Sequence, residues 1–127
     1  MNDVARLALF AGALSAGLGV LLGAFGAHAL KTRLPEDLLA VWHTGVQYQV
    51  YHALGLLLLG VLAQQLPGIP LLKLAAWLML AGTLLFSGSL YALALTGIRG
   101  LGAITPLGGL AFIAAWLSLA LGVWRAA

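Results

Sequence analysis

Cysteine is absent, which excludes disulfides, thiolate metal sites and thiol nucleophiles. Charge is nearly as scarce: six Lys/Arg and three Asp/Glu make up 7% of the chain. The acids, Asp3, Glu36 and Asp37, all fall outside the apolar runs, so no carboxylate is available inside them for a Ser-His-Asp arrangement. There is no His-Glu-x-x-His, and no Walker pattern accompanies the glycines. An enzyme is therefore not expected, and no catalytic residue, cofactor-binding residue or metal ligand is assigned. Proline occurs only four times, at Pro35, Pro67, Pro70 and Pro106, each between or at the edge of long apolar runs.

What remains is 63% hydrophobic, with a mean hydropathy of +1.09. A chain of 127 residues with so little polar surface cannot coat a soluble globule and belongs in lipid. Crossing a hydrocarbon core of roughly 30 Å takes about 20 apolar helical residues. Four such runs occur, near 5–29, 43–65, 71–96 and 105–124, leaving no room for a soluble domain. A pI near 9.8 raises the question of nucleic acid, but the basic residues stand singly or in a loose pair at span ends. They read as interfacial anchors and topology signals, with no nucleic-acid partner.

The first span ends in Ala27-His28-Ala29, which has the small-x-small form of a signal-peptidase site. Its apolar run is longer than the roughly 7–15 residues of a secretory core, and Asp3 weakens the basic leader, so a retained span is expected. Within it Gly12, Ser15, Gly19, Gly23 and Gly26 recur at three- and four-residue steps, on one face about 80° wide. Gly108, Ala111, Ala115, Ser118 and Gly122 repeat this spacing in the fourth span. Such faces let helix backbones approach and gain van der Waals contact in lipid, so both are expected to pack against other helices.

Pro35-Glu36-Asp37 is a helix start, because proline needs no N–H there and the carboxylates meet the positive end of the dipole. A helix from there to Gln65 is about 45 Å long, more than a bilayer core requires. Residues 35–42 are thus expected in the headgroup layer, with Trp42 as a belt residue. Gln64-Gln65-Leu66-Pro67-Gly68-Ile69-Pro70 ends that helix. The third span is expected as one helix over 71–96, followed by a flexible connection from Gly97 to Gly102.

The most polar membrane segment is Val41-Trp42-His43-Thr44-Gly45-Val46-Gln47-Tyr48-Gln49-Val50-Tyr51-His52. His43, Gln47 and Tyr51 form one stripe, and Tyr48 and His52 another. Polar groups at this depth are expected to turn toward protein or water, with Ser87, Ser89, Tyr91 and Thr105 as hydrogen-bonding candidates. Three histidines invite a haem or metal reading. His28 and His43 lie near the same surface and can approach across a hairpin, but His52 lies about 13 Å deeper than His43. The expectation is that they hydrogen-bond to helices or headgroups.

A shift of 63 residues lays Gly19, Leu21, Leu22, Ala29 and Leu30 on Gly82, Leu84, Leu85, Ala92 and Leu93. Two parallel hairpin repeats would give this overlay, and so would chance in a Leu/Ala/Gly-rich chain.

Gly23-Ala24-Phe25-Gly26-Ala27-His28, Thr44-Gly45-Val46-Gln47-Tyr48-Gln49 with Tyr51-His52, Phe86-Ser87-Gly88-Ser89-Leu90-Tyr91 and Thr105-Pro106-Leu107-Gly108-Gly109 together resemble the YgdD-like family of small bacterial inner-membrane proteins. The resemblance covers nearly the whole chain. It implies a four-span helical protein with no soluble domain, and brings no reaction, substrate or catalytic residue. It also implies cytoplasmic termini, because members carry a longer basic C-terminal tail, whereas this chain reads Arg125-Ala126-Ala127.

The expected fold is an all-α membrane protein, four transmembrane helices in a compact bundle with both termini on one side. The expected role is structural or interactive, with membrane lipids and a homo-oligomer or larger membrane complex as partners. The alternatives are a carrier or channel for a small molecule or lipid, and, behind it, a haem or quinone module.

Overall fold

The computed structural model describes residues 1–126. The first helix, α1 (Asp3–His28), is capped by Asn2, whose side chain accepts from the Ala5 N–H at 2.8 Å, and Asp3 sits in the first turn. A short 3-10 turn, Leu30–Thr32, leads to α2 (Glu36–Gln65), which starts behind Pro35 with Glu36 and Asp37 against its positive end. Gly68, at φ +81°, supplies the left-handed turn that reverses the chain. Then come α3 (Pro70–Gly82), a π-helical turn at Thr83–Ser87, and α4 (Gly88–Thr96), which is closed by Gly97 at φ +71°. A 3-10 turn, Arg99–Ala103, precedes α5 (Thr105–Arg125). The four long apolar helical segments, each able to cross a membrane by length and composition, are Asp3–Thr32, Glu36–Gln65, Pro70–Thr96 and Arg99–Arg125. Among the described residues there is no strand.

The structure refines one sequence expectation here and corrects another. The third span runs over Pro70–Thr96, close to the expected 71–96, and a π turn interrupts its α-helical ladder between α3 and α4. A Cβ on Gly108 would meet the Phe86 backbone, so α5 lies directly on this turn, while the Ser87 hydroxyl donates to the Gly45 carbonyl of α2 at 2.6 Å. Close contact on both sides accompanies the extra residue in the turn. The connection after Gly97 was expected to be flexible, but it winds into a 3-10 turn whose Arg99 donates to Asp37 of α2 at 2.8 Å.

The molecule is two helical hairpins side by side: α1 packs along α2, α5 packs along α3, and α2 joins the pairs through α3, the π turn and α4. Leu56, Leu59, Leu72 and Met79 fill the centre with Ala8, Ala75, Ala76 and Ala115. In lipid this interior is held by close packing more than by expulsion of water.

Contacts repeat with the sequence overlay. Gly19 lies against Val50 and Gln49, and Gly82 against Phe112; Gly23 faces Val46, and Phe86 faces Gly109; Gly26 lies under Trp42, and Ser89 bonds Thr105. A shift of 63 residues carries 19 to 82, 49 to 112, 23 to 86, 46 to 109, 26 to 89 and 42 to 105. Three contacts in the first hairpin thus recur in the second, often with the large and small partners changed. That is the pattern of two parallel structural repeats.

The start of α1 and the end of α5 lie at one end: Asn2 donates to the Ala63 carbonyl at 2.8 Å, and Gly122 packs on Leu71. The Asp37–Arg99 pair marks the other end.

Candidate functional site

The polar half of α2 divides into an inward and an outward set. Gly45 sets the inward side, because a Cβ there would strike the Tyr91 ring, 2.8 Å away. Tyr91 therefore lies across α2 and donates its hydroxyl to Gln49 Oε1 at 2.6 Å. The Gln49 amide in turn donates to the Ser15 carbonyl of α1 at 2.9 Å. One buried glutamine thus links α4, α2 and α1. Trp42 lies beside Tyr91, ring centroids 4.7 Å apart and planes tilted by 45°, and donates to the Leu22 carbonyl at 2.9 Å. It is only 3% exposed, so it is an interhelical clamp and not the lipid-facing belt residue expected. Gly26 makes room for it: a Cβ there would lie 2.6 Å from the indole.

His52 is also buried, and its bonds define one tautomer. Nδ1 lies 2.8 Å from the Tyr48 carbonyl, which can only accept, so Nδ1 carries the proton. Nε2 receives the Trp116 indole N–H at 3.0 Å. The ring is neutral, with both nitrogens occupied, and stacks on Phe112 at 3.5 Å and 6°. This geometry leaves neither nitrogen free to ligate a metal or haem. Phe86 and Tyr48 extend the aromatic cluster, their centroids 4.5 Å apart.

The outward set is His43, Gln47 and Tyr51. The Gln47 amide donates to the Tyr51 hydroxyl at 2.6 Å, and both side chains are exposed, Tyr51 by 50%. This corrects the expectation that the stripe turns inward. Gly45 and Gln49 bring the opposite face of α2 into the bundle, so the stripe meets the surroundings. Tyr48 lies between the two sets, 37% exposed.

Ser87 bonds the Gly45 carbonyl, and Ser89 pairs with Thr105 at 2.6 Å, so neither serine reaches a polar side chain of α2. His28 is exposed at the end of α1, and His43 lies near Gly26, 3.2 Å from its ideal Cβ. No group of three His, Asp or Glu comes together among the described residues. Nor is any buried side-chain N or O there without a hydrogen-bond partner.

Of the packing faces, Gly12, Gly19, Gly23 and Gly26 abut α2, and Ser15 contributes its carbonyl to Gln49. Gly108 meets the π turn and Gly122 meets Leu71; Ala115 is fully buried, while Ala111 and Ser118 are half-buried.

The family described as "Protein of unknown function (DUF423)" matches residues 22–109, a stretch that holds both polar sets, the π turn and Gly108. The chain is similar to the UPF0382 membrane protein YwdK of Bacillus subtilis, 55% identical over 114 residues that cover 90% of this chain and 93% of that one. It is likewise similar to a UPF0382 membrane protein of Staphylococcus haemolyticus, 47% identical over 122 residues, 94% of this chain and 97% of the relative. The chain belongs to the DUF423 family. No solved structure matches it. It is a small integral membrane protein, and its DUF423 relatives are named membrane proteins without an assigned activity.

Sequence reasoning missed the part of this polar and aromatic cluster carried by Gln49, Trp116, Phe112 and Gly45. Gln49 lies two residues from Gln47, about 200° round the helix, and only Gly45 beside it indicates the inward face. Trp116 sits on the fourth span's lipid side by its spacing, yet its indole N–H turns inward to His52.

Proposed function

We propose that this DUF423 protein is a structural or interaction component of the bacterial inner membrane, with no enzymatic activity, and that it docks a membrane partner on the outer face of α2. The observation carrying this reading is the stripe His43, Gln47 and Tyr51. Gln47 and Tyr51 lie on a membrane-spanning helix and face away from the protein's own interior, and His43, exposed one turn nearer the helix start, leans on α1 only at Gly26. Polar groups facing hydrocarbon are costly, and a partner helix offering donors and acceptors removes that cost. The likeness to YgdD-like proteins, cytoplasmic termini and the absence of a nucleic-acid partner belong to the same proposal.

The carrier reading draws less support. The centre is filled by leucine, alanine and methionine, and three cavities open at the terminal end, away from the polar half of α2.

Photo-crosslinking in native membranes tests the proposal, with a photoreactive residue at Gln47 or Tyr51 and a control at Leu117 on the far side of α5. A discrete protein adduct from the α2 positions and none from Leu117 is the expected result. A second copy of the chain and a different membrane protein are both acceptable captures. Lipid adducts alone at every position would overturn it.

A further inference from the structure

At the terminal end, two cavities join into one groove between α1 and α3. The upper, about 480 Å³, is walled by Asp3, Val4, Ala63, Leu66, Pro70 and Lys73 among others. The lower, about 290 Å³, shares Asp3, Val4 and Lys73 and continues over Leu7, Ala76 and Trp77. The groove exists because α1 lies along α2 and touches α3 only lightly. Its mouth is polar and its floor apolar, and the upper part alone is within the roughly 300–1,000 Å³ usual for small-molecule sites.

The charges in the groove are left open. Asn2 spends its side chain on the Ala63 carbonyl and the Ala5 N–H. Asp3 and Lys73 line both cavities, yet they form no ion pair with each other; among the described residues the salt bridge is Asp37–Arg99. Lys73 also stands in the first turn of α3, where the helix dipole is positive and disfavours a cation. Asp3 at the start of α1 and Glu36 and Asp37 at the start of α2 follow the rule that Lys73 breaks. An anion held against Lys73 relieves that disadvantage, and the lysine is its main donor, since Pro70 has no N–H and Leu72 gives its own to the Ile69 carbonyl.

We infer that this groove binds one phospholipid with a primary-amine zwitterionic head group, drawn from the leaflet on the side of the termini. Its phosphate rests on Lys73 in the first turn of α3, its ammonium on the Asp3 carboxylate, and one acyl chain follows Leu7, Ala76 and Trp77. Opposite charges in one groove match a zwitterion. An anionic head group would leave Asp3 facing negative charge, and a choline head group has no N–H to donate to the carboxylate.

The test is native mass spectrometry of the full chain in detergent, offered equimolar phosphatidylethanolamine, phosphatidylglycerol and phosphatidylcholine with the same acyl chains. One retained phosphatidylethanolamine per chain, about tenfold over either competitor, is expected. Asp3→Asn should abolish the preference and keep phospholipid binding; Lys73→Gln should lower retention of all three lipids. Val4→Trp, which narrows the groove and leaves both charges, should also lower retention. Asp3 and Lys73 are exposed, so the variants are checked by circular dichroism for unchanged helix content, and Val4→Trp decides for any that fails this check. Equal retention of the three lipids by the wild type overturns the inference. So does a preference that survives both charge substitutions.

Discussion

Gln47 and Gln49 are chemically identical and two positions apart, yet opposite outcomes are expected on replacing them with leucine. Gln49→Leu strands the Tyr91 hydroxyl and removes a donor from the Ser15 carbonyl, at about 1–3 kcal/mol, and should lower the melting temperature in detergent. Gln47→Leu removes an exposed amide bonded only to Tyr51 and should leave the isolated chain as stable or more so. Equal losses for the two would contradict the inward and outward assignment. Trp116→Phe keeps a ring at the site but takes the donor from His52 Nε2. A double-mutant cycle with His52→Leu should give a coupling of about 0.6–2 kcal/mol. Outside the membrane, the hydrogen bond from Arg99 holds the Asp37 carboxyl below its ordinary value. A lowered folded value means the pair's contribution is present above the ordinary carboxylate range and is lost as pH falls through the lowered one. Both side chains are well exposed, 59% and 72%, so Arg99→Ala should not measurably change the neutral-pH melting temperature at physiological salt. At this scale the sequence identified the right segment but not the right face: polar residues occur on both sides of α2, and what orients them is Gly45 receiving Tyr91 from a distant helix.

For helices, the readable signal was the spacing of small residues, and it locates real packing surfaces. Gly19 has the Val50 methyl 2.7 Å from its ideal Cβ, whereas Gly17, on the same helix, has nothing within 4 Å. Gly19→Leu should therefore pry α1 from α2 and lower the melting temperature by several degrees, while Gly17→Ala should leave it unchanged. Similar losses at both positions would mean that glycine matters there for backbone freedom and not for contact. Gly23, with Val46 at 3.4 Å, should accept alanine. The π turn had no such signal. Thr83–Ser87 reads as ordinary apolar helix, and what distinguishes it is the α5 backbone at Gly108 on one side and the Gly45 carbonyl on the other. Tertiary contacts of this kind leave no periodicity in the segment they deform, so the turn was invisible until the partners were placed. The Trp42 clamp was hidden for a related reason. Its depth was legible, but the direction of its ring depends on Gly26, 16 residues earlier in the chain.

Across the whole molecule, two parallel hairpins put the start of α1 and the end of α5 at one end, and the remaining question is which side of the membrane that end occupies. Counting residues gives Arg6, Lys73 and Arg125 at the terminal end against Lys31, Arg33 and Arg99 at the other, a tie under the positive-inside rule. The structure adds a small asymmetry: the Asp37 carboxylate, 2.8 Å from Arg99, offsets its charge locally, weak as the exposed pair is for stability, while the three terminal-end cations have no such partner among the described residues. Free cations are what the anionic cytoplasmic surface attracts, at about 1 kcal/mol each near the surface. The terminal end is therefore expected in the cytoplasm. A C-terminal alkaline phosphatase fusion should be inactive and a C-terminal green fluorescent protein fusion bright, and phosphatase inserted in the Gly97–Gly102 connection should be active. The reverse pattern would overturn the assignment. Activity of both phosphatase fusions would mean that one sequence inserts in two orientations. Asp37→Asn sharpens the test: freeing Arg99 restores the tie, so the bias between the two C-terminal reporters should shrink in that variant.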